Sequence, residues 1–265
     1  MNVKELKEVL NRDGVVKISK LLTPDLLQTA QNAVDEVEKN PSAMAANYGM
    51  DKSSKDGRFI SDFNNWRRIA GIEEVARSPV ITTFIKCLIE SNKLWFFHDH
   101  VLVKGGDAPE TPWHQDRPYY LVEGARNVSI WIALSEVTKP FSLIFLKGSH
   151  RLKKMYAPAT FKGGNSIGSS PYFETLSQTT IDRFKEEDKV VYHLSPGDAL
   201  VFFHRTLHKS NSNTSQRERK ALSLRYLGDG ARLTKRVINA TPPFDRMGLV
   251  FKEGDPIPEK WFPLV

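Results

Sequence analysis

Cysteine is almost absent from this sequence, and its scarcity excludes two kinds of site. Of the 265 residues only Cys87 is a cysteine. A disulfide within the chain is therefore impossible, and a metal cluster held by several thiolates is excluded. Cys87 lies in the apolar run 80–89, where we interpret it as a small buried hydrophobic residue.

Long apolar runs are also missing. No segment approaches the roughly 18 consecutive apolar residues of a membrane helix, so no membrane insertion is expected. The charged segment 1–14 lacks the apolar centre of a signal peptide, and we expect a cytoplasmic protein. The net charge is +7, but Lys and Arg are scattered. This favours a generally basic surface over an anionic partner, and no nucleic acid partner is expected.

The first third of the chain has helical patterns and one short strand. An amphipathic pattern predicts a helix that ends at Gly14, and 14–18 is a strand candidate. Thr23, followed by Pro24, predicts the capped start of a second helix that runs towards residue 40. Segment 72–89 is predicted to be helical as well.

From residue 94 onwards the pattern changes to short segments rich in aromatic and β-branched residues, bounded by Gly and Pro turns. These predicted strands are 94–104, 127–134, 142–146, 199–204 and 220–227. They indicate an antiparallel sandwich or barrel, so the predicted fold is mainly β with flanking α. The polar stretch 152–190 reads as a functional loop, with a possible helix at 181–187.

We predict one domain, because neither an internal repeat nor a clear linker is present. Its three parts are a helical N-terminal part at about 1–92, a barrel core at about 93–230 and a C-terminal extension at 231–265. The oligomeric state is not predicted.

Two candidate metal ligands, His114 and Asp116, are two residues apart in segment 111–117. On an extended strand such residues point to the same face, so an imidazole and a carboxylate can converge on one ion. Two histidines and one carboxylate leave three coordination positions open, the arrangement of non-haem iron(II) oxygenases. Taken alone, the pair also fits a surface turn.

A third ligand candidate, His208, follows the turn at Gly197 and an apolar strand. In the next predicted strand, Arg219, Ser223 and Arg225 share one face. An inward arginine needs an anionic partner, because an unpaired buried charge is costly. A dicarboxylate meets that need, since guanidinium binds carboxylate with two parallel hydrogen bonds.

These segments resemble the phytanoyl-CoA dioxygenase (PhyH) family of iron(II)/2-oxoglutarate oxygenases. Four motifs carry the resemblance: Trp-His-x-Asp at 113–116, Gly-Asp-x-Leu-x-Phe at 197–202, His-x-Ser-x-x-Asn at 208–213 and Arg-x-Ala-x-Ser at 219–223. The similarity runs from about residue 93 to 230. One departure is Lys147, which stands where the family usually has proline.

The resemblance implies a double-stranded β-helix, the jelly-roll or cupin-like barrel. It implies His114, Asp116 and His208 as iron(II) ligands, with 2-oxoglutarate and O2 as co-substrates. It also implies Arg219 and Ser223 as the anchor for 2-oxoglutarate. An aspartate at 116 favours hydroxylation over halogenation, because related halogenases have a small residue there, which frees a coordination position for halide.

Other polar residues of the predicted strands are assigned with alternatives. Trp131 and Lys104 are candidates for the cofactor side of the pocket, although tryptophan is often core and Lys104 could be solvated. For His98 and His100 we favour hydrogen-bonded barrel histidines over a second metal pair or polar groups of the pocket. His204, four residues before His208, is interpreted as structural.

Three residues are candidate substrate contacts. They are Asn127, on the Trp131 face, Arg117, directly after Asp116, and Arg225, on the Arg219 face. Either arginine could instead pair with a protein carboxylate; Arg232 is a weaker candidate.

The expected function is hydroxylation of an unactivated C–H bond of a small, anionic or zwitterionic metabolite such as an amino acid or phosphonate. An acyl-CoA or lipid-like substrate is the alternative within this class. Outside it, the alternative is a cupin-like protein that binds metal or ligand without turnover.

Overall fold

A computed structural model of the chain describes residues 2–48, 57–157, 172–214, 217–236 and 238–265. The helices are α1 (Val3–Asp13), α2 (Pro24–Lys39), α3 (Ala70–Arg77), α4 (Pro79–Ile89) and α5 (Gln178–Ile181). The strands are β1 (Val15–Ile18), β2 (Ala46–Asn47), β3 (Phe59–Phe63), β4 (Trp95–Lys104), β5 (Thr111–His114), β6 (Val122–Glu123), β7 (Val128–Ala133), β8 (Leu143–Leu146), β9 (Lys189–Val191), β10 (Ala199–Phe203), β11 (His208–Ser210), β12 (Arg219–Leu227) and β13 (Arg232–Leu233).

The helix boundaries follow the capping residues. α1 ends at Gly14, which takes the left-handed conformation at φ 83°, and α2 begins after Thr23, whose hydroxyl accepts from the Leu26 amide. Both predictions are confirmed.

Segment 72–89, predicted as one helical stretch, is two helices because Pro79 holds Ser78 in an extended conformation. Cys87 lies on the exposed face of α4, so our interpretation of it as buried is wrong.

Two antiparallel sheets form the body of the fold. The large sheet has the strand order β1-β10-β7-β12-β4-β3-β2, and the small sheet has the order β5-β11-β8-β9. This arrangement, with helices beside the large sheet, confirms the predicted class.

The predicted helix at 181–187 is wrong in position, since α5 ends at Ile181 and a single 3-10 turn follows at Glu186–Asp188. Residues 158–171 of the predicted loop 152–190 lie outside the described residues.

Strand alternation gives the large sheet two different buried faces. One face, which includes Ile130 and Leu222, packs on α2, α3 and α4. The opposite face, which includes Trp131 and Ala221, packs against Phe145 of the small sheet. The inward-facing side chains therefore meet between the sheets, and this is where the candidate site lies.

A third apolar cluster joins the C-terminal part of the chain to the end of the large sheet. There Phe244 and Phe262 pack with Phe97 and Leu227. Among the described residues, no helix has both the length and the apolar character to cross a membrane.

Candidate active site

A cavity of about 200 Å³ lies between the two sheets. Its lining includes all three predicted metal ligands, together with Trp131 and Arg219. Phenylalanines of β3 and histidines of β4, which follow β12 in the large sheet, also line it. Both sheets thus contribute, and residues far apart in sequence meet here.

Two of the predicted ligands lie on neighbouring strands. His114 ends β5, His208 begins β11, and the two are paired in the antiparallel register with ring centroids 4.2 Å apart. Asp116 has left the strand and occupies a helical conformation, with φ −72° and ψ −38°, at the start of a 3-10 turn. The prediction that His114 and Asp116 point to the same face of one extended strand is therefore wrong, although the two side chains do converge. The turn brings Asp116 Oδ1 to 3.8 Å from His114 Nε2 and 3.7 Å from His208 Nε2.

Backbone carbonyls set the orientation of both imidazoles. His114 Nδ1 lies 2.8 Å from Pro112 O, and His208 Nδ1 lies 3.0 Å from Thr206 O. Because a carbonyl oxygen only accepts, each Nδ1 carries the proton and each Nε2 keeps its lone pair. Burial lowers the pKa of His208 to about 3, which maintains the neutral form that binds metal.

The three donor atoms fit a metal ion. Ligand atoms of His114, Asp116 and His208 all lie within 4.8 Å of one another. Two imidazole nitrogens and one carboxylate oxygen are the donor set of the non-haem iron(II) facial triad. Each ring is also held through its other nitrogen by a backbone carbonyl, which keeps Nε2 directed at the ion position.

The second carboxylate oxygen of Asp116 is held by the large sheet. Ser129 Oγ donates to Asp116 Oδ2 at 2.5 Å, and Arg225 Nη2 lies 3.7 Å from the same oxygen. Burial alone would favour the protonated acid. The charge of Arg225 and the neighbouring histidines outweigh it, and they hold the pKa of Asp116 well below its ordinary value. Asp116 is therefore an anion ready to bind a cation.

Arg225 has its hydrogen bonds within the protein. In addition to the ion pair with Asp116, its Nε donates to the Tyr120 hydroxyl at 3.0 Å and its Nη1 donates to Ser223 O at 3.1 Å. The side chain is 6% exposed. The structure therefore gives Arg225 a carboxylate partner, the alternative that the sequence left open, and places it behind a metal ligand.

The far end of the cavity contains buried donors without partners. Arg219, at the start of β12, donates through Nη1 to Phe141 O at 2.5 Å. Its Nε, Ser223 Oγ and Trp131 Nε1 have no hydrogen-bond partner among the described residues. Ser223 and Trp131 are directly paired between β12 and β7. Orphaned buried donors are costly, so this cluster fits a ligand rich in acceptors, such as a carboxylate.

Lys104 pairs with Arg219 in the register of β4 and β12, but its ammonium is fully used. It donates to Pro109 O, Thr111 Oγ1 and Ser210 Oγ at 2.7, 3.1 and 2.8 Å. All three donors are satisfied. The structure therefore joins Lys104 to the ends of β5 and β11 and does not place it on the cavity wall.

Two of the predicted substrate contacts, Arg117 and Asn127, and the weaker candidate Arg232 are not among the residues that line this cavity. Arg117 forms an ion pair with Glu123 and lines two other cavities. Asn127 is 3% exposed and accepts from the Gly228 amide, so it holds a turn. Arg232 is exposed on β13. The physical reason is local: Arg117 belongs to the 3-10 turn that follows Asp116, and this turn directs its side chain outward.

The two histidines of β4 form hydrogen bonds within the barrel and also belong to the cavity wall. His98 and His100 are hydrogen-bonded, to Asp99 O and Ser61 Oγ, and both line the cavity. His204 is buried beside Tyr120 and lines a separate cavity, in agreement with a structural role.

Sequence reasoning missed the aromatic side of the cavity. Tyr48, Phe59, Phe63 and Tyr119 line it, and two of them belong to β3, which we did not predict. The signal was present as the alternation of Phe59, Ser61 and Phe63.

Comparison with known families gives one match. The family model described as phytanoyl-CoA dioxygenase (PhyH) matches residues 10–221. This is well over half of the chain and includes His114, Asp116, His208 and Arg219, whereas Ser223 and Arg225 lie beyond the matched residues. No curated protein matches the sequence.

Solved structures with a similar fold cover nearly the whole chain. The carbocyclase SnoK from nogalamycin biosynthesis, described as non-haem and α-ketoglutarate-dependent, has 19% identity and a TM-score of 0.77, with 99% of this chain and 96% of that chain covered. The epimerase SnoN of the same biosynthesis has 19% identity and a TM-score of 0.76, covering 99% and 98%. EctD from S. alaskensis, solved with 2-oxoglutarate and 5-hydroxyectoine, has 19% identity and a TM-score of 0.71, covering 97% and 86%. At these identities the likeness concerns the fold, and it agrees with the predicted double-stranded β-helix.

Proposed function

The chain belongs to the phytanoyl-CoA dioxygenase family of iron(II)- and 2-oxoglutarate-dependent oxygenases, and on that premise we propose that it hydroxylates an unactivated C–H bond of a compact small molecule. The single observation that carries the proposal is the convergence of His114, Asp116 and His208 within 4.8 Å on one wall of an enclosed cavity.

In this proposal the three residues hold iron(II) through His114 Nε2, His208 Nε2 and Asp116 Oδ1. The bound iron and 2-oxoglutarate supply the oxidising power, with O2 consumed and succinate and carbon dioxide released. The protein's own contribution is to fix the ligands in one protonation state and to keep the site dry. Ser129 and Arg225 serve the same end by holding the free oxygen of Asp116.

Arg219 binds the distal carboxylate of 2-oxoglutarate, with Ser223 and Trp131 as additional donors. Support comes from three unpartnered buried donors: Arg219 and Trp131 line the cavity, and Ser223 is paired with Trp131 between β12 and β7. Arg219 is buried, and its guanidinium lies 5.5 Å from the Trp131 ring, which limits its movement. A guanidinium held in this way is preorganised for the planar, two-point contact that a carboxylate offers.

Hydroxylation is favoured over halogenation because Asp116 occupies a ligand position that a halide would need. A compact substrate is favoured over an acyl-CoA by the cavity size, since about 200 Å³ is small beside the roughly 300–1,000 Å³ of typical ligand pockets. Of the similar structures, two are described as an epimerase and a carbocyclase, and a third holds a hydroxylated ectoine. The fold therefore accommodates several outcomes, and the product must be measured.

The test is succinate formation from 2-oxoglutarate with iron(II) and ascorbate, with and without a metabolite library. We expect a low basal rate that the correct substrate raises, and a product that gains one oxygen atom labelled from molecular oxygen. Asp116→Ala is the matched inactive control. A chlorinated product in the presence of chloride, or succinate formation that persists in Asp116→Ala, would contradict the proposal.

A further inference from the structure

The cavity wall formed by the two strands that follow β12 in the large sheet is aromatic. We call it the β3–β4 wall and define it by Phe59, Ser61 and Phe63 of β3 with His98, His100 and Leu102 of β4. Strand alternation turns these residues inward, and the register pairs Phe63 with His100 and Ser61 with Leu102. All six line the cavity.

Aromatic rings of this wall contact both its histidines, and a neighbouring ring reaches the metal ligands. The Phe63 ring lies edge-on to His98 and His100, with centroid distances of 6.5 and 6.0 Å. Beside the wall, the Tyr119 ring lies 6.2 Å from the His114 ring. A molecule resting here lies beside the metal ligands and presents its surface to ring faces and edges, which favours a flat or cyclic apolar group.

Charge on the described lining residues is already assigned. Lys209 lies 3.8 Å from Glu110, and Arg225 lies 3.7 Å from Asp116. Arg219 remains for the co-substrate. Lys209 is partly exposed and pairs with the more exposed Glu110, so among the lining residues that the structure describes no further buried Lys or Arg remains for a substrate anion, and the one carboxylate, Asp116, is a metal ligand. A substrate charge would therefore lie in this cavity without a partner, which is costly.

The β3–β4 wall nevertheless contains an unused acceptor. His98 Nδ1 lies 3.0 Å from Asp99 O, so it must carry the ring proton. Nε2 is then a bare acceptor, and it has no hydrogen-bond partner among the described residues although His98 is fully buried. His100 is different, because its Nε2 lies 2.6 Å from Ser61 Oγ. A buried acceptor left unpaired on a ligand cavity is the feature that a substrate donor would satisfy.

We propose that the substrate is an uncharged ring compound whose hydroxyl or N–H group donates to His98 Nε2 while its ring packs on the β3–β4 wall. This rests on the proposed function, and it makes His98 a residue that determines specificity. It replaces the expectation of an anionic or zwitterionic metabolite, because the two arginines on which that expectation depended have protein carboxylates as partners.

The experiment uses the holoenzyme reconstituted with manganese(II) and 2-oxoglutarate, which keeps the site loaded without turnover. The probes are ring fragments, each present as alcohol, methyl ether, carboxylate and phosphate ester. Ligand-detected NMR reports binding, and the relaxation caused by manganese identifies fragments close to the metal. We expect the alcohols to bind near the metal at least tenfold more tightly than the matching carboxylates and phosphates. A preference for the anionic forms, or no neutral fragment near the metal, would overturn the inference.

Variants of His98 separate a direct contact from a structural role. His98→Phe should weaken binding of the alcohols about five- to tenfold and leave their methyl ethers, which have no donor, nearly unchanged. His98→Gln, which retains an acceptor, should recover part of the loss. His204→Phe, which removes a buried histidine outside this cavity, is the matched control. Equal loss for alcohols and ethers would mean that His98 supports only the fold.

Manganese and 2-oxoglutarate affinities are measured first in every variant. A wild-type protein that binds neither would contradict the proposed function. A protein that binds both but prefers anionic fragments would contradict only the inference about the substrate.

Discussion

The two sheets that enclose the cavity hold their polar residues in different ways. The small sheet provides His114 and His208 from strands of four and three residues. The large sheet provides Arg219, Ser223 and Arg225 from β12, which has nine residues and lies between β4 and β7. Short strands thus carry the histidines, and a long central strand carries the groups proposed to bind 2-oxoglutarate.

The difference lies in how each side chain is oriented. Each ligand histidine is set by the carbonyl two residues before it, Pro112 or Thr206, so its geometry is local. Arg225 is set by three groups, of which Asp116 and Tyr120 belong to a turn about a hundred residues earlier in the chain. Local contacts are enough to orient the ligand histidines, because a bound metal ion would fix them further. An arginine inside a sheet needs several hydrogen-bond and charge partners to hold its orientation. Four predictions test this comparison.

Loss of a ligand on the small sheet should have the largest effect. We expect His114→Ala, Asp116→Ala or His208→Ala each to abolish turnover and to weaken iron(II) binding more than about 100-fold, beyond the usual effect of removing a second-shell partner. Anaerobic iron titration measures the affinity. His204→Ala is the control and should keep the metal; a requirement for His204 with His208 dispensable would mean that the distal ligand is misassigned.

Replacement of the anchor on the large sheet should come next. Arg219→Lys keeps the charge but loses the two parallel hydrogen bonds, and loss of a buried charge-assisted contact costs on the order of 2–5 kcal/mol. The KM for 2-oxoglutarate should therefore rise by at least about 30-fold, with iron(II) affinity little changed. Arg217→Lys, at a site whose side chain is 83% exposed, is the matched control. An unchanged KM would remove Arg219 from the site.

Removal of Arg225, which joins the large sheet to Asp116, should have an intermediate effect on iron(II) binding. Arg225→Met takes away the cation behind Asp116, and we expect iron(II) affinity to fall about 10- to 100-fold. Ser129→Ala, which removes one neutral donor to the same oxygen, should have a smaller effect in the same direction. If Arg225→Met instead raised only the KM of the substrate, Arg225 would be a substrate contact after all.

Acid stability of the metal-free protein should show the smallest effect. Burial lowers the pKa of His204 to about 4, below the value of about 6.5 in an unfolded chain. Between these values the unfolded chain binds a proton that the folded chain does not, so the free energy of unfolding falls as pH falls through this window. His204→Gln should therefore make the decrease from neutral pH to about pH 5.5 smaller by about 1 kcal/mol in urea titrations.

The control for this pH dependence is His193→Gln, at a side chain that is 47% exposed. It should leave the pH dependence as in the wild type. An unaltered slope in His204→Gln would mean that the buried ring does not contribute to acid sensitivity.

Most of the architecture and the metal ligands could be predicted because their signals are local. Gly14 and Thr23 mark helix ends through their own backbone and side-chain preferences. The aromatic segments indicated the central strands, and the Arg219 face of β12 was predicted with the correct residues inward. By contrast β3 was missed because its alternation spans only five residues, although Asp-Gly at 56–57 and Asn-Asn at 64–65 flank it.

By itself, the sequence determined which residue types stand at which spacing, and therefore the two histidines, the aspartate and the arginine that a family motif requires. Only the tertiary structure decided what the other polar residues do. Arg117 and Arg225 look equivalent in sequence, yet one pairs with Glu123 outside the cavity and the other supports Asp116 from behind. The physical reason is that the fold chooses the partner of a buried charge: strand pairing brings Arg225 to Asp116, more than a hundred positions away, whereas the turn after β5 brings Arg117 to the nearby Glu123.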